Sequence, residues 1–240
     1  MDIPAHLISI ELRTLSAAFL LAMLAFAAYT APWHFVRRHS HVYFGAIVLT
    51  GFIWVLRAGI GDGLNLHLLG MVMLTLMFGW RLALIAATII VSISFVSQTL
   101  ELFPGVMTPI TAVNRETDII HSLSAIPLNT LFMAGIPILL THYMLVWTEK
   151  KLPANFFIYI FINAFLTGAL SILAVISCGT LLMLVSGAYD WSYLQANYLP
   201  FIPLLMFPEA LMNGMLMTVF VIYTPDWVRS FHDRHYLRKR

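Results

Sequence analysis

Gly61-Asp62-Gly63-Leu64-Asn65-Leu66-His67-Leu68-Leu69-Gly70 is a polar, glycine-rich break that ends on a histidine at the mouth of an apolar run. Val42 to Leu56 precedes it and Leu66 to Phe78 continues from it, both almost free of charge. Apolar runs separated by brief polar turns recur along the whole chain. Of its 240 residues, 60% are hydrophobic and 10% charged, and the mean hydropathy is +0.88. A soluble domain carries about one-quarter charged residues. The runs approach the ~20 residues a helix needs to cross the hydrocarbon core, and they are too long and too unalternating for a transmembrane barrel. The sequence predicts an all-α membrane protein, a bundle of about seven transmembrane helices. It forms a single integral domain over residues 1–240, with an N-terminal outer segment at 1–14, the bundle at 15–223 and a basic tail at 224–240.

The expected spans cover residues 15–30, 42–56, 66–78, 82–102, 126–147, 156–185 and 199–223, the third of them short for a crossing. Ala31-Pro32-Trp33 closes the first, because proline stops the helix and tryptophan suits the interface. Pro137 predicts a kink in the fifth. An odd number of spans puts the termini on opposite sides. Ten of the thirteen basic residues fall on one side if the tail lies in the cytoplasm, including Arg37, Arg38, Arg81, Lys150, Lys151 and Arg229. The positive-inside rule then places the N-terminus outside and the C-terminus inside. The N-terminal segment, the Gly61–His67 stretch and the polar connection 103–125 share the outer face in this topology.

That outer face collects His6, His67 and His121 with Asp2, Asp62, Glu116 and Asp118. Amines, carboxylates and imidazoles suit divalent transition metals. Met1 (through its amine), Asp2, His6 and His67 are the candidate metal ligands, with Asn65 or a backbone carbonyl to hold the second ring nitrogen of His67. An interfacial histidine beside a flexible turn accounts for the same residues without a metal. Glu209 and Asn213, at i and i+4 within the last span, are the second feature. A carboxylate that deep in lipid should face the bundle interior, as a packing anchor beside a ligand cavity, a proton carrier or a hydrogen-bonded structural group. Asn65, His121, Glu209 and Asn213 are the cavity candidates. Asn129 and Asn163 read as interhelical hydrogen-bonding residues. Ala18 and Ala22 form a small-xxx-small ridge on the first span, suited to close helix contact within the chain or with a partner.

The exclusions are short. Cys178 is the only cysteine, so there is no internal disulfide or multi-cysteine metal site, and it reads as a small apolar filler. No P-loop is present, so any ATP hydrolysis by that machinery belongs to another subunit. No basic stripe suits nucleic acid. The His34–His41 loop reads as topogenic, with a metal or phosphate patch as the alternative, and the basic tail as serving orientation and lipid headgroups before partner docking. A haem-binding membrane enzyme, or an accessory protein delivering metal to a respiratory or oxidase complex, are the alternatives to transport.

Met1-Asp2-Ile3-Pro4 and Leu66-His67-Leu68-Leu69-Gly70 resemble the substrate-capture subunit of cobalt and nickel energy-coupling-factor transporters, the CbiM/NikM type. Lys151–Tyr159, Pro208–Met215 and Tyr223–Leu237 resemble a proteobacterial branch of energy-coupling-factor transporter permeases. The resemblance implies a substrate-binding component of an ABC-type uptake system in the bacterial inner membrane. A divalent transition metal such as cobalt or nickel would be its cargo, with no tightly bound cofactor. It implies as partners a transmembrane coupling subunit, for which Ala18/Ala22 is the expected contact, and cytoplasmic ATPases. It also implies metal held by the terminal amine, a second-position histidine and the histidine of His-Leu-Leu-Gly. Met1 and His67 match. The second position is Asp2, which removes an imidazole and offers a harder oxygen, with His6 as a possible replacement.

Overall fold

Ser9 opens the first helix by accepting a hydrogen bond from the Leu12 amide at 3.3 Å, an N-cap that satisfies one orphan donor. In the computed structural model, which describes residues 3–59, 64–99 and 123–231, α1 then runs Ile10–Thr30. It therefore begins inside the lead expected before the first span. Ala31-Pro32 ends it, and α2 (Trp33–Arg38) and α3 (Ser40–Val55) follow. A two-residue hairpin pairs β1 (Ala58–Gly59) antiparallel with β2 (Asn65–Leu66). Next come α4 (Met71–Phe78), α5 (Trp80–Thr99), α6 (Ile126–Lys151) and α7 (Phe156–Val185). The bundle closes with α8 (Trp191–Asn197) and α9 (Ile202–Tyr223), and the chain ends on a single turn at Pro225–Trp227.

Among the described residues, five stretches are long and apolar enough to cross a membrane: α1, α5, α6, α7, and α8 with α9. α3 is a shorter apolar helix. Leu15, Phe19, Leu21, Phe52, Phe161, Leu181 and Phe207 are exposed on the outside of the bundle, where a soluble protein would carry charge. The chain is a multi-pass α-helical membrane protein. Cys178 faces outward on α7 rather than filling the core.

The expected helix over residues 66–78 is the main correction. Only Met71–Phe78 is helical, every residue of it is buried, and eight residues rise about 12 Å, less than half of the hydrocarbon core. Asn65 and Leu66 belong to the hairpin, and residues 67–70 have no regular structure. The run is apolar because it is enclosed on all sides, which composition cannot distinguish from a lipid-facing helix. Non-helical backbone at this depth needs protein partners for its N–H and C=O groups, and they come from α9 and the segment after it.

A wider, π-type stretch at Thr130–Gly135 lies just before Pro137, the proline expected to kink this helix. A second such stretch occupies Tyr159–Leu166. A π-turn lets a helix absorb a missing or displaced hydrogen bond while continuing. α7 and α9 pack unusually close at Gly168. A Cβ there would lie 3.1 Å from Ala210 Cα and 3.2 Å from the Glu209 carbonyl oxygen, so only glycine lets α9 seat Glu209 against the core.

Candidate functional site

Glu209 is fully buried on α9, and its carboxylate answers three donors. Oε2 accepts from the Leu69 amide at 2.7 Å, and Oε1 accepts from the Gly70 amide at 2.9 Å and from Asn213 Nδ2 at 2.9 Å. Asn213 also donates to the Glu209 main-chain carbonyl at 2.7 Å and accepts from the Met73 amide at 2.8 Å. The i, i+4 pair read from the sequence is therefore a cap supplied across the bundle. It satisfies the amides of Leu69 and Gly70, which lead into α4, and of Met73 in its first turn, whose N–H groups have no partner within the helix, and sets a carboxylate at the positive end of that helix. Gly70, with φ +67°, makes the turn into α4, a conformation that costs a side-chain-bearing residue about 1 kcal/mol or more.

His67 sits three residues before Gly70 and is 5% exposed. Its Nδ1 lies 3.0 Å from the Leu68 carbonyl oxygen. A carbonyl only accepts, so Nδ1 carries the proton and the lone pair resides on Nε2, the tautomer of a histidine ready to ligate through Nε2. The Leu68 carbonyl is one partner that sets the tautomer, and Asn65 is buried two residues earlier on β2. The Trp54 ring packs on the imidazole with centroids 4.7 Å apart, and Trp54 Nε1 donates to the Leu69 carbonyl at 2.8 Å. Residues 67–70 are thus gripped from two sides, by α3 through Trp54 and by α9 through Glu209.

The N-terminal segment enters the core independently. Ile3, Ala5 and Ile8 are buried, and Ile3 forms a reciprocal pair with Asn129 of α6. Its amide donates to Asn129 Oδ1 at 2.9 Å, and Asn129 Nδ2 donates to its carbonyl at 2.9 Å. Asn129 Nδ2 also reaches the Ala125 carbonyl at 3.0 Å. The side chain expected to join helices instead anchors a strand-like segment two residues beyond Met1. Replacing Asn129 with leucine should orphan both groups of Ile3, at about 1–3 kcal/mol each. The expected result is faster amide exchange at Ile3 in the purified chain, with α7 and α9 unaffected; unchanged protection of Ile3 would refute the anchor.

Of the remaining sequence candidates, His6 lies exposed in a short turn at Ala5–Leu7. Ala18 and Ala22 are exposed on α1, a helix whose buried residues are Ser16, Leu20 and Ala27. Their ridge faces away from the bundle, so they do not serve contact within the chain. Met1, Asp2 and His121 lie outside the described residues, as do Asp62, Glu116 and Asp118. Among the described residues no three His, Cys, Asp or Glu side chains gather as a metal site. Sequence reasoning passed over Trp54, whose only signal is a large aromatic with a polar handle on a short apolar helix.

Residues 121–227 match the family model of the cobalt uptake substrate-specific transmembrane region, CbiM. This match covers a little under half of the chain and supports the family resemblance; the Met1–Pro4 and Leu66–Gly70 motifs lie outside it. The matched part includes Asn129, Glu209 and Asn213, the residues that hold the two N-terminal elements, while Trp54, His67 and α4 lie outside it. No curated protein and no solved structure matches the chain.

Proposed function

We propose that this protein is the substrate-binding membrane subunit of an energy-coupling-factor type uptake system, and that its cargo is a divalent transition metal ion such as cobalt or nickel. The observation that carries the reading is His67, buried against Trp54 with its Nδ1 proton on the Leu68 carbonyl, in a chain matching a cobalt-uptake family. The Met1 amine and the His67 imidazole form the core of the ligand set, with Asp2 as an oxygen ligand and His6 as the alternative nitrogen. Asn129 holds Ile3 in the bundle, which supports a terminal amine reaching a buried ion. An oxygen in the second position weakens the square-planar nitrogen set that favours nickel and suits a softer demand on geometry, such as cobalt. Binding takes place on the outer side of a bacterial inner membrane, with the tail in the cytoplasm. A coupling subunit, meeting Ala18 and Ala22 on α1, and cytoplasmic ATPases supply the energy, so this chain is not itself an enzyme.

The test is metal content. Chain purified with a free Met1 should retain about one cobalt or nickel ion per molecule, and a few residues added before Met1 should abolish retention while leaving the fold intact. An extended chain that keeps its metal would remove the terminal amine from the ligand set. Co-purification of an ATPase and a coupling subunit distinguishes uptake from metal delivery to another membrane complex.

A further inference from the structure

The far end of α4 is fastened by the segment after α9, beyond the region that matches the family. The Arg229 amide donates to the Met77 carbonyl at 2.9 Å, and the Ser230 amide to the Leu76 carbonyl at 3.3 Å. Ser230 Oγ also donates to the Leu76 carbonyl at 2.6 Å. Having given its proton there, Ser230 accepts from Tyr159 OH, 2.6 Å away on α7. Val228 and Phe231, on either side, are buried, and the Phe231 ring meets Tyr159 edge to face at 5.0 Å. The last carbonyls of a helix have no partner of their own, and here the chain closes them with a docked segment instead of with solvent.

α4 is therefore a short rod held at both ends by one stretch of sequence. Glu209 and Asn213 hold its start and residues 229–230 hold its finish. Eight helical residues span about 12 Å, and a helix this short transmits a displacement along its axis because its internal hydrogen bonds move together. We propose that Tyr159 and Ser230 are positioning residues for His67. Docked, segment 228–231 keeps α4 pressed toward Glu209 and so keeps residues 67–70 in register with Trp54. Undocked, it frees α4 to slip and loosens the histidine at the other end. The tail thereby reports on, and controls, the state of the stretch on which the proposed metal site rests. Only the final link, from His67 to metal, depends on the function proposed above.

Residue-resolved amide exchange of the purified full chain tests the positioning without any metal. Ser230→Ala and Tyr159→Phe each remove one hydroxyl and leave Phe231 and the main-chain bonds in place. Both should speed exchange at Leu69 and Gly70 by about tenfold, with the Ile3 amide unchanged, and Ser230→Thr should restore the slow rate. Unchanged exchange at Leu69 and Gly70 would overturn the proposal, and so would an equal acceleration at Ile3, which would mark general destabilisation. Titration with Co2+ forms the second arm. A weaker affinity in the two hydroxyl-deleted variants, rescued by Ser230→Thr, supports the full chain of effects. If the unaltered protein takes up no Co2+, the metal assignment falls while the exchange data still decide the positioning role.

Discussion

Replacing Glu209 with alanine is expected to lower stability by roughly 3–5 kcal/mol, the cost of leaving two buried amides without an acceptor. The loss is concentrated. The amides of Leu69 and Gly70 lose their acceptor in the carboxylate, at 2.7 and 2.9 Å, and each orphaned donor costs about 1–3 kcal/mol. Asn213 keeps its bond to the main-chain carbonyl of residue 209 and to the Met73 amide, so the cap is halved rather than erased. For a chain of this size each kcal/mol moves the melting midpoint by about 2–4 °C, and the variant should melt roughly 6–20 °C lower in detergent. Glu209→Gln should fall between the two, because one oxygen still accepts while the new amide group faces N–H donors. Equal melting of Glu209→Ala and the unaltered protein would mean that α4 does not need this cap. Gln melting below Ala would show that setting a new N–H donor against the Leu69 or Gly70 amide costs more than removing the side chain.

His67→Ala is expected to reduce affinity for cobalt or nickel by more than about 100-fold, since loss of a group that only orients a ligand costs about 10–100-fold and this is a proposed ligand. Its effect on the fold should be smaller. The alanine removes a ring contact with Trp54 worth about 0.5–1.5 kcal/mol, but Trp54 retains its bond to the Leu69 carbonyl and Glu209 its bonds to Leu69 and Gly70. Stability and binding therefore separate. Glu209→Ala changes melting strongly, and His67→Ala changes metal uptake strongly with a small shift in melting. Metal analysis and calorimetric titration on the same two variants check this crossing pattern. Undiminished affinity in His67→Ala would exclude the imidazole as a ligand.

Glu209 shows how much of the site was legible. Its cost in lipid marked it as facing inward, and its spacing to Asn213 marked the two as a unit. Nothing local named their partners, because the amides they cap lie some 140 residues earlier in the chain. Asn129 follows the same logic. A buried amide side chain advertises a hydrogen-bonding duty, but its reciprocal pair with Ile3 spans 126 residues. His67 was legible as a candidate from its flanking glycines and apolar setting; the tautomer set by the Leu68 carbonyl and the covering ring of Trp54 were not.

The sequence by itself determined the solvent of this protein and most of its long helices. Apolar run length sets what can cross a membrane, and that property is local. The runs at 126–147 and 156–185 correspond to α6 and α7 for this reason. Only the tertiary structure decided that the run at 66–78 is one strand residue, a bare stretch and an eight-residue helix. Hydrophobicity reports that a segment leaves water, while the choice between helix and irregular backbone depends on who satisfies its peptide groups. Here Glu209 and Asn213 at one end, and residues 229 and 230 at the other, supply those partners from the far end of the chain.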